Sequence, residues 1–524
     1  MNCRTAVTIC VLFLLPGAAA GNEPRTPLES ANYASLSSYD DMMRYLRTLD
    51  SNSDVLTMTI IGQSVEKRDI PALFFSLDPA FGSQRGKKPV VLIYCQQHGN
   101  EPSGKEGALV TARRLANDGQ AILQKLDLIL VPQVNPDGAE MGQRKNANDM
   151  DLNRNHVILS EPESFALHRL FLRWLPEVTL DVHEYNAIKK AWISHGLVKD
   201  ADEMLGGVTN LNVAPEIISF ARETIIPAVG QTITEDGFRF FRYIVGEPFE
   251  NHRIRYSTTA INDGRQSMGI HNTFSFIIEG KRYGDLLTNI ERRTKGQASA
   301  MMAFLKTVAN HAAEIVPIIR VSRHRLASPE EQKKDVVIQM DYFRDPARPT
   351  LKFPVFDLYT WHHIEKELEN YYPVVKTIAS VTRPFAYIFP ARETKLIDLL
   401  QKHQIDLYQV EAEQEIEVTT YTILHVTPAV DEDKPTERVD VSREKQRMTI
   451  APGSIAILLE QRAANLISLM LEPQSTWSIV KTRAGRKYRF SQYLQEGHLY
   501  PIYRVEKPVN LALQKIPSGE MTKR

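Results

Sequence analysis

The chain has 524 residues, 43% hydrophobic and 24% charged, with a mean hydropathy of −0.28. That length exceeds one ordinary core and suggests roughly two to four domains. Lys+Arg and Asp+Glu each number 63, so the formal net charge is zero, which excludes a strongly basic nucleic-acid binder and long charged disordered tails.

Residues 1–20 place Arg4 ahead of a short apolar run and end in Ala18-Ala19-Ala20, the pattern of a cleaved signal peptide. The run is too short for a span of ~20 residues, and no later segment reaches that length without charges. An exported protein, periplasmic or secreted, with no membrane span is expected. Cys3, Cys10 and Cys95 are too few for a disulfide scaffold or an all-cysteine zinc site, and cleavage leaves Cys95 alone.

Residues 39–49 carry Met42, Met43, Leu46 and Leu49 at helical spacing, with Ser37 or Ser38 as a cap. Residues 55–61 and 70–77 read as two strands of a hairpin or meander. From there strands at 89–94, 126–134, 178–182 and 273–278 alternate with helices at 107–116, 163–175, 213–229 and 290–309. The alternation predicts an α/β fold, a mixed central sheet with helices on both faces. After about residue 317 the texture becomes β-rich, with short helices at 392–403 and 461–471 and a charged loop at 430–438. The expected division is a signal peptide (1–20), a first domain (21–316) and a separate β-rich α+β C-terminal region (317–524) whose sequence names no chemistry.

Four polar clusters each follow an apolar strand: residues 96–106, 135–155, 183–185 and 279–281. In an open α/β sheet, ligands bind outside the carboxyl ends of the strands, so the four can meet at one edge. His98, Glu101 and His183 form the two-His, one-Glu ligand set of a catalytic zinc with a position left for water. Glu279 is a spare carboxylate able to take a proton, and Arg144 and Arg154 bring positive charge for an oxyanion or a substrate carboxylate. Taken singly, each has an ordinary reading: a surface His/Glu pair, a turn at Asn135-Pro136-Asp137-Gly138, a polar loop at 151–155, a core histidine at 183.

The set His98-Gly-Asn-Glu101, Asn135-Pro-Asp-Gly138, Arg144, Asp151-Leu-Asn-Arg154, Asp181-Val-His183 and Glu279 resembles the zinc metallocarboxypeptidases of the carboxypeptidase A type, over roughly residues 39–309. The resemblance implies a carboxypeptidase-like fold, one Zn²⁺ held by His98, Glu101 and His183, and Asp151 orienting the first histidine. It further implies Asn153 and Arg154 on the terminal carboxylate of a peptide substrate, Arg144 on the oxyanion, and Glu279 as the base. It would make the protein a zinc-dependent exopeptidase acting on peptides with a free C-terminal carboxylate. The alternatives are a zinc amidase or carboxypeptidase acting on cell-wall (murein) peptides, and a catalytically inactive envelope binding protein. The family's site tyrosine falls nearest Tyr256, although the flanking residues match poorly. Its specificity region falls near Gly264-Arg265, where Arg265 would favour an acidic C-terminal residue or lie on a surface loop. Glu184 is either a support for the metal ligands or half of a buried salt bridge. His362, His363 and Glu365 read as surface residues.

Overall fold

In the computed structural model, residues 24–247, 252–328, 330, 333–431, 434–481 and 490–517 are described. The expected signal peptide lies outside them. The strands before residue 290 are β1 (Leu56–Gln63), β2 (Asp69–Phe75), β3 (Val90–Cys95), β4 (Asp127–Val131), β5 (Val178–Asn186), β6 (Leu197–Lys199), β7 (Glu203–Gly207), β8 (Phe240–Arg242) and β9 (Phe274–Arg282). All but β6 join one eight-stranded sheet in the order β1-β2-β4-β3-β5-β9-β7-β8. The centre is parallel, from β4 through β3 and β5 to β9, and β2 pairs antiparallel with β4 as β7 does with β9.

A strand buried on both faces reads as an unbroken apolar run, and β3 (VVLIYC) is one. Val91, Ile93 and Cys95 pack into one core with the helices Tyr39–Ser51, Pro102–Asp118 and Ile290–Asn310. Val90, Leu92 and Tyr94 face the other way, against Leu167, Leu170 and Phe171 of the helix Pro162–Trp174. The expected mixed sheet covered on both faces is therefore present. The first helix begins where Ser38 accepts a hydrogen bond from the Asp41 amide, and it buries Met42, Met43, Leu46 and Leu49.

Several boundaries differ from expectation. β5 and β9 run on past their apolar stretches, so His183 and Glu279 lie inside strands, paired to each other in parallel register. The expected helix at 213–229 starts at Pro215 and contains a π-helical turn at 221–225 before continuing to Glu235. The helix Ala312–Leu326 carries Pro317 in its interior and buries Ile315, Val316 and Ile319, so it runs through the expected boundary at 316/317. Of the expected charged loop at 430–438, residues 430–431 and 434–438 lie in strands. Strands Gln414–Asp431 and Lys434–Ile450 pair from Gln414↔Ile450 to Asp431↔Lys434, because backbone pairing can continue along a ribbon whatever the polarity of its side chains.

The C-terminal residues are β-rich, with a seven-stranded sheet, but they do not stand apart. β6 pairs antiparallel with the strand Leu351–Asp357, Val355 opposite Lys199 and Asp357 opposite Leu197. Val336, Ile338, Met340, Tyr387 and Phe389 join the core cluster that holds Val157, Ile158 and Ile261. The His403 Nε2–H donates to the Val157 carbonyl at 2.8 Å. No helix among the described residues is long and apolar enough to cross a membrane.

Candidate active site

The chain leaves β3 at Gln96, whose φ of 55° turns it sharply toward the helix Pro102–Asp118. His98 and Glu101 lie on that turn. Gly99 is required there, because a Cβ would come within 2.0 Å of the Gly138 carbonyl carbon. Asn135 accepts from the Gly138 amide at 2.9 Å, capping the short helix Pro136–Glu140, and Asp137 pins the β1–β2 turn through Ser64 Oγ, the Glu66 amide and Arg68. The Asn-Pro-Asp-Gly run is thus the framework beneath the site.

His98, Glu101 and His183 are buried together, with one donor atom from each within 4.8 Å of the others. Glu101 Oε1 lies 2.9 Å from His98 Nδ1, Glu101 Oε2 lies 2.9 Å from His183 Nδ1, and the two Nδ1 atoms are 3.0 Å apart. The outer nitrogens face carboxylates: His98 Nε2 is 3.1 Å from Asp151 Oδ1, and His183 Nε2 is 2.8 Å from Asp181 Oδ1. A carboxylate only accepts, so a proton on each Nε2 satisfies Asp151 and Asp181 and leaves each Nδ1 able to present a lone pair to a metal ion. Two imidazole lone pairs and a carboxylate that converge at this range repel one another unless a cation lies between them. The donor set therefore fits a metal ion. Burial disfavours charge at both groups. Even so, the two histidines hold the Glu101 carboxyl well below its usual range, and Asp181 and Glu101 favour positive charge at His183. A divalent cation supplies that charge.

Around this centre the structure assembles most of the expected residues. Arg144 Nε and Nη2 both donate to Asp151 Oδ2 at 3.0 Å, and Arg144 Nη1 reaches within 3.4 Å of Glu101 Oε1. Asp151 also caps the 3₁₀ turn Leu152–Arg154 by accepting from the Asn153 amide at 3.0 Å. Asn153 Nδ2 sits 3.2 Å from His183 Nε2, and its Oδ1 accepts from the Gly264 amide at 2.8 Å. The Arg154 Nη1 donates to the Asn153 carbonyl, and its charge bears on Asp151 and Asp263. Glu279 is buried beside His183. Burial pushes its carboxyl above the ordinary carboxylate value, with His183 and a hydrogen bond from Tyr243 pulling the other way.

Two further expected residues have partners of their own. The Tyr256 hydroxyl meets Tyr371 and its ring lies 3.5 Å beneath the Arg242 guanidinium, while the tyrosine bonded to Glu279 is Tyr243. Arg265 is 0% exposed, so it is not on a surface loop, and its Nε and Nη1 have no hydrogen-bond partner among the described residues. Its Nη2 donates to Ser257 Oγ at 2.8 Å and pairs with Asp263 at 3.2 Å, bracing the loop before the helix Gly264–Gly269. Glu184 is half of a buried salt bridge, 2.7 Å from Arg293. His363 bonds Asp200 at 2.6 Å rather than joining a second cluster.

Sequence reasoning gave no role to the partners Asp181, Gln97 and Tyr243. Gln97 Nε2 donates to both Asp181 oxygens at 2.9 Å, and His156 lies 2.7 Å from Gln97 Oε1. Asp181 was legible in principle: it stands two residues before His183 on the same strand face. Nothing in the chain near residue 243 signals a partner for Glu279.

Comparison with known proteins finds similar sequences and similar solved structures. Residues 42–183 match the family described as zinc carboxypeptidase. Carboxypeptidase 2 of Trichophyton tonsurans is 23% identical over 471 residues, 85% of this chain and 82% of the relative. Carboxypeptidase E of Caenorhabditis elegans is 35% identical over 121 residues, 20% of this chain and 25% of the relative. Among solved structures, a metallo-carboxypeptidase from Burkholderia cenocepacia has a TM-score of 0.43 at 17% identity, covering 53% of this chain and 71% of its own. The fold and the site define a metallohydrolase of the α/β class. Residues 42–183 carry the zinc carboxypeptidase match and the relatives that span most of the chain are carboxypeptidases, which makes the protein a metallocarboxypeptidase, a zinc-dependent hydrolase acting at a peptide C-terminus.

Proposed function

We propose that the protein is exported and removes the C-terminal residue of peptides, using one zinc ion held by His98, Glu101 and His183. The observation that carries this is the convergence of the two Nδ1 atoms and the Glu101 carboxylate within 4.8 Å, beside the buried Glu279. When bound, zinc polarises the scissile carbonyl and lowers the pKa of a coordinated water. Glu279, its carboxyl raised by burial, takes the proton from the attacking water and delivers it to the leaving amine. Arg144, fixed by Asp151, faces the oxygen on which negative charge develops. Asn153 and Arg154 hold the terminal carboxylate, so an amidated C-terminus loses its anchor. The catalytic unit extends to the end of the helix Ala312–Leu326, and the β-rich remainder forms a wall beside it through β6.

The test is turnover of N-acylated dipeptides with free and amidated C-termini by the zinc-loaded protein. The free acid is cleaved and the amide is not. Glu279→Ala lowers kcat by roughly 10²- to 10⁴-fold with zinc content unchanged. Bound zinc with no turnover of any peptide would refute the reading and leave a binding protein.

A further inference from the structure

Lys199 closes β6 and is only 4% exposed, yet its ammonium donates to no oxygen among the described residues. It stands instead among aromatic rings, 4.7 Å from the centre of Tyr185, 5.5 Å from Phe353 and 5.8 Å from Trp192. The adjacent carboxylate, Asp200, is taken up by Lys281 at 2.7 Å, His363 at 2.6 Å and Arg239. Cation–π contacts offset part of the cost of burying an ammonium, but they do not replace a hydrogen-bond acceptor. Burial pulls the group down to about 7, while the charges of Glu279 and Glu247 act against that fall. A cation so enclosed and unpaired is suited to an anion that arrives with a ligand.

Its position shows which part of a ligand. Asp181, His183 and Tyr185 alternate along one face of β5, each step of two residues advancing about 6.6 Å. Asn153 and the Gly264 amide meet at the Asp181–His183 end. Lys199 covers Tyr185, one step beyond His183 in the opposite direction. A peptide whose carboxylate is held at Asn153 and Arg154, and whose scissile bond lies at the metal ligands, therefore sends its upstream residues toward Lys199. We propose that Lys199, in its cage of Tyr185, Trp192 and Phe353, is a specificity residue that binds an acidic side chain upstream of the scissile bond. Phe353 comes from the C-terminal region, which thereby contributes to substrate choice. The proposal rests on the exopeptidase reading for the direction of the chain.

The experiment compares N-acyl tripeptides that differ only by Glu or Gln at each of the two positions upstream of the cleaved residue. Wild-type protein is expected to favour Glu about tenfold in kcat/KM at one of them, as a charge-assisted hydrogen bond allows. Lys199→Met abolishes the preference while leaving turnover of the Gln peptide within about twofold, and Lys199→Arg keeps most of it. The same pairs are titrated against zinc-loaded Glu279→Gln to read binding without turnover. A wild-type Glu:Gln ratio near one in both measurements, or a ratio that survives Lys199→Met, overturns the proposal. A binding preference in a protein that cleaves no peptide would keep the subsite and reject the exopeptidase.

Discussion

Tyr243 offers a sharp test of the site, because the family pattern points to Tyr256 instead. Tyr243 follows β8, and its amide donates to the Leu205 carbonyl at 3.0 Å. Gly206 leaves it room: a Cβ there would stand 2.9 Å from Tyr243 Cβ. Burial raises its phenol well above the ordinary value, so the hydroxyl stays protonated and serves as a donor to Glu279 at any working pH. Tyr243→Phe removes one hydrogen bond to a buried carboxylate, a loss of about 1.5–3 kcal/mol. If that falls on the transition state, kcat/KM drops roughly 10- to 150-fold. The sign of the pH effect follows. Donation lowers the Glu279 value against the larger upward push of burial, so its removal moves the acid limb of the kcat/KM profile to higher pH. Tyr256→Phe, which loses only the contact with Tyr371, leaves kcat/KM within about threefold. Steady-state kinetics across pH, with zinc content and Tm as controls, decide the matter. A larger loss in Tyr256→Phe than in Tyr243→Phe would refute this account.

Asp181→Asn and Asp151→Asn each weaken a hydrogen bond to the outer nitrogen of a metal ligand, so zinc affinity measured by chelator competition is expected to fall roughly 10- to 100-fold. Asp151→Asn also releases Arg144, and its kcat/KM at saturating zinc should fall further than that of Asp181→Asn. Arg293→Met leaves Glu184 buried without its cation, and chemical denaturation should show a loss of about 3–5 kcal/mol. His156 and His403 are held down to about 4, and His271 to about 3, chiefly by burial. Their folded values lie below the unfolded value near 6.5, so their contribution is full above that pH and is lost as pH falls toward 4 and 3. Urea midpoints taken from pH 7 to pH 4 should decline, and replacing His403 with Gln should flatten the slope by up to about 1.4 kcal/mol per pH unit.

The apolar run of β3 and the spaced Met42, Met43, Leu46 and Leu49 declared their elements because burial alone selects those residues. The His98, Glu101 and His183 cluster was legible for a related reason: several polar clusters each follow an apolar strand and can meet at one sheet edge. The same logic placed the ends of β5 and β9 too early, since His183 and Glu279 interrupt the hydrophobic pattern while the backbone pairing continues through them. The partners of Arg265 and Tyr256 were not legible because distance along the chain does not say which way a loop side chain turns. Lys199 and Phe353 could not be paired from the sequence at all. Their contact depends on a strand pairing between segments on either side of the expected domain boundary.

That long-range docking also bears on when activity first appears. His403 and the Val157 carbonyl it caps are 246 residues apart in the chain, and both are buried. Domains generally complete as units while synthesis proceeds from the N-terminus. Here the loop that follows Asn153 and Arg154 is not enclosed until residue 403 has been made, and the strand opposite β6 likewise arrives late. A nascent chain holding every metal ligand would still lack the finished wall of its cleft. The dependence on late-arriving residues leaves these long-range contacts unmade until residue 403 of 524 has been synthesised.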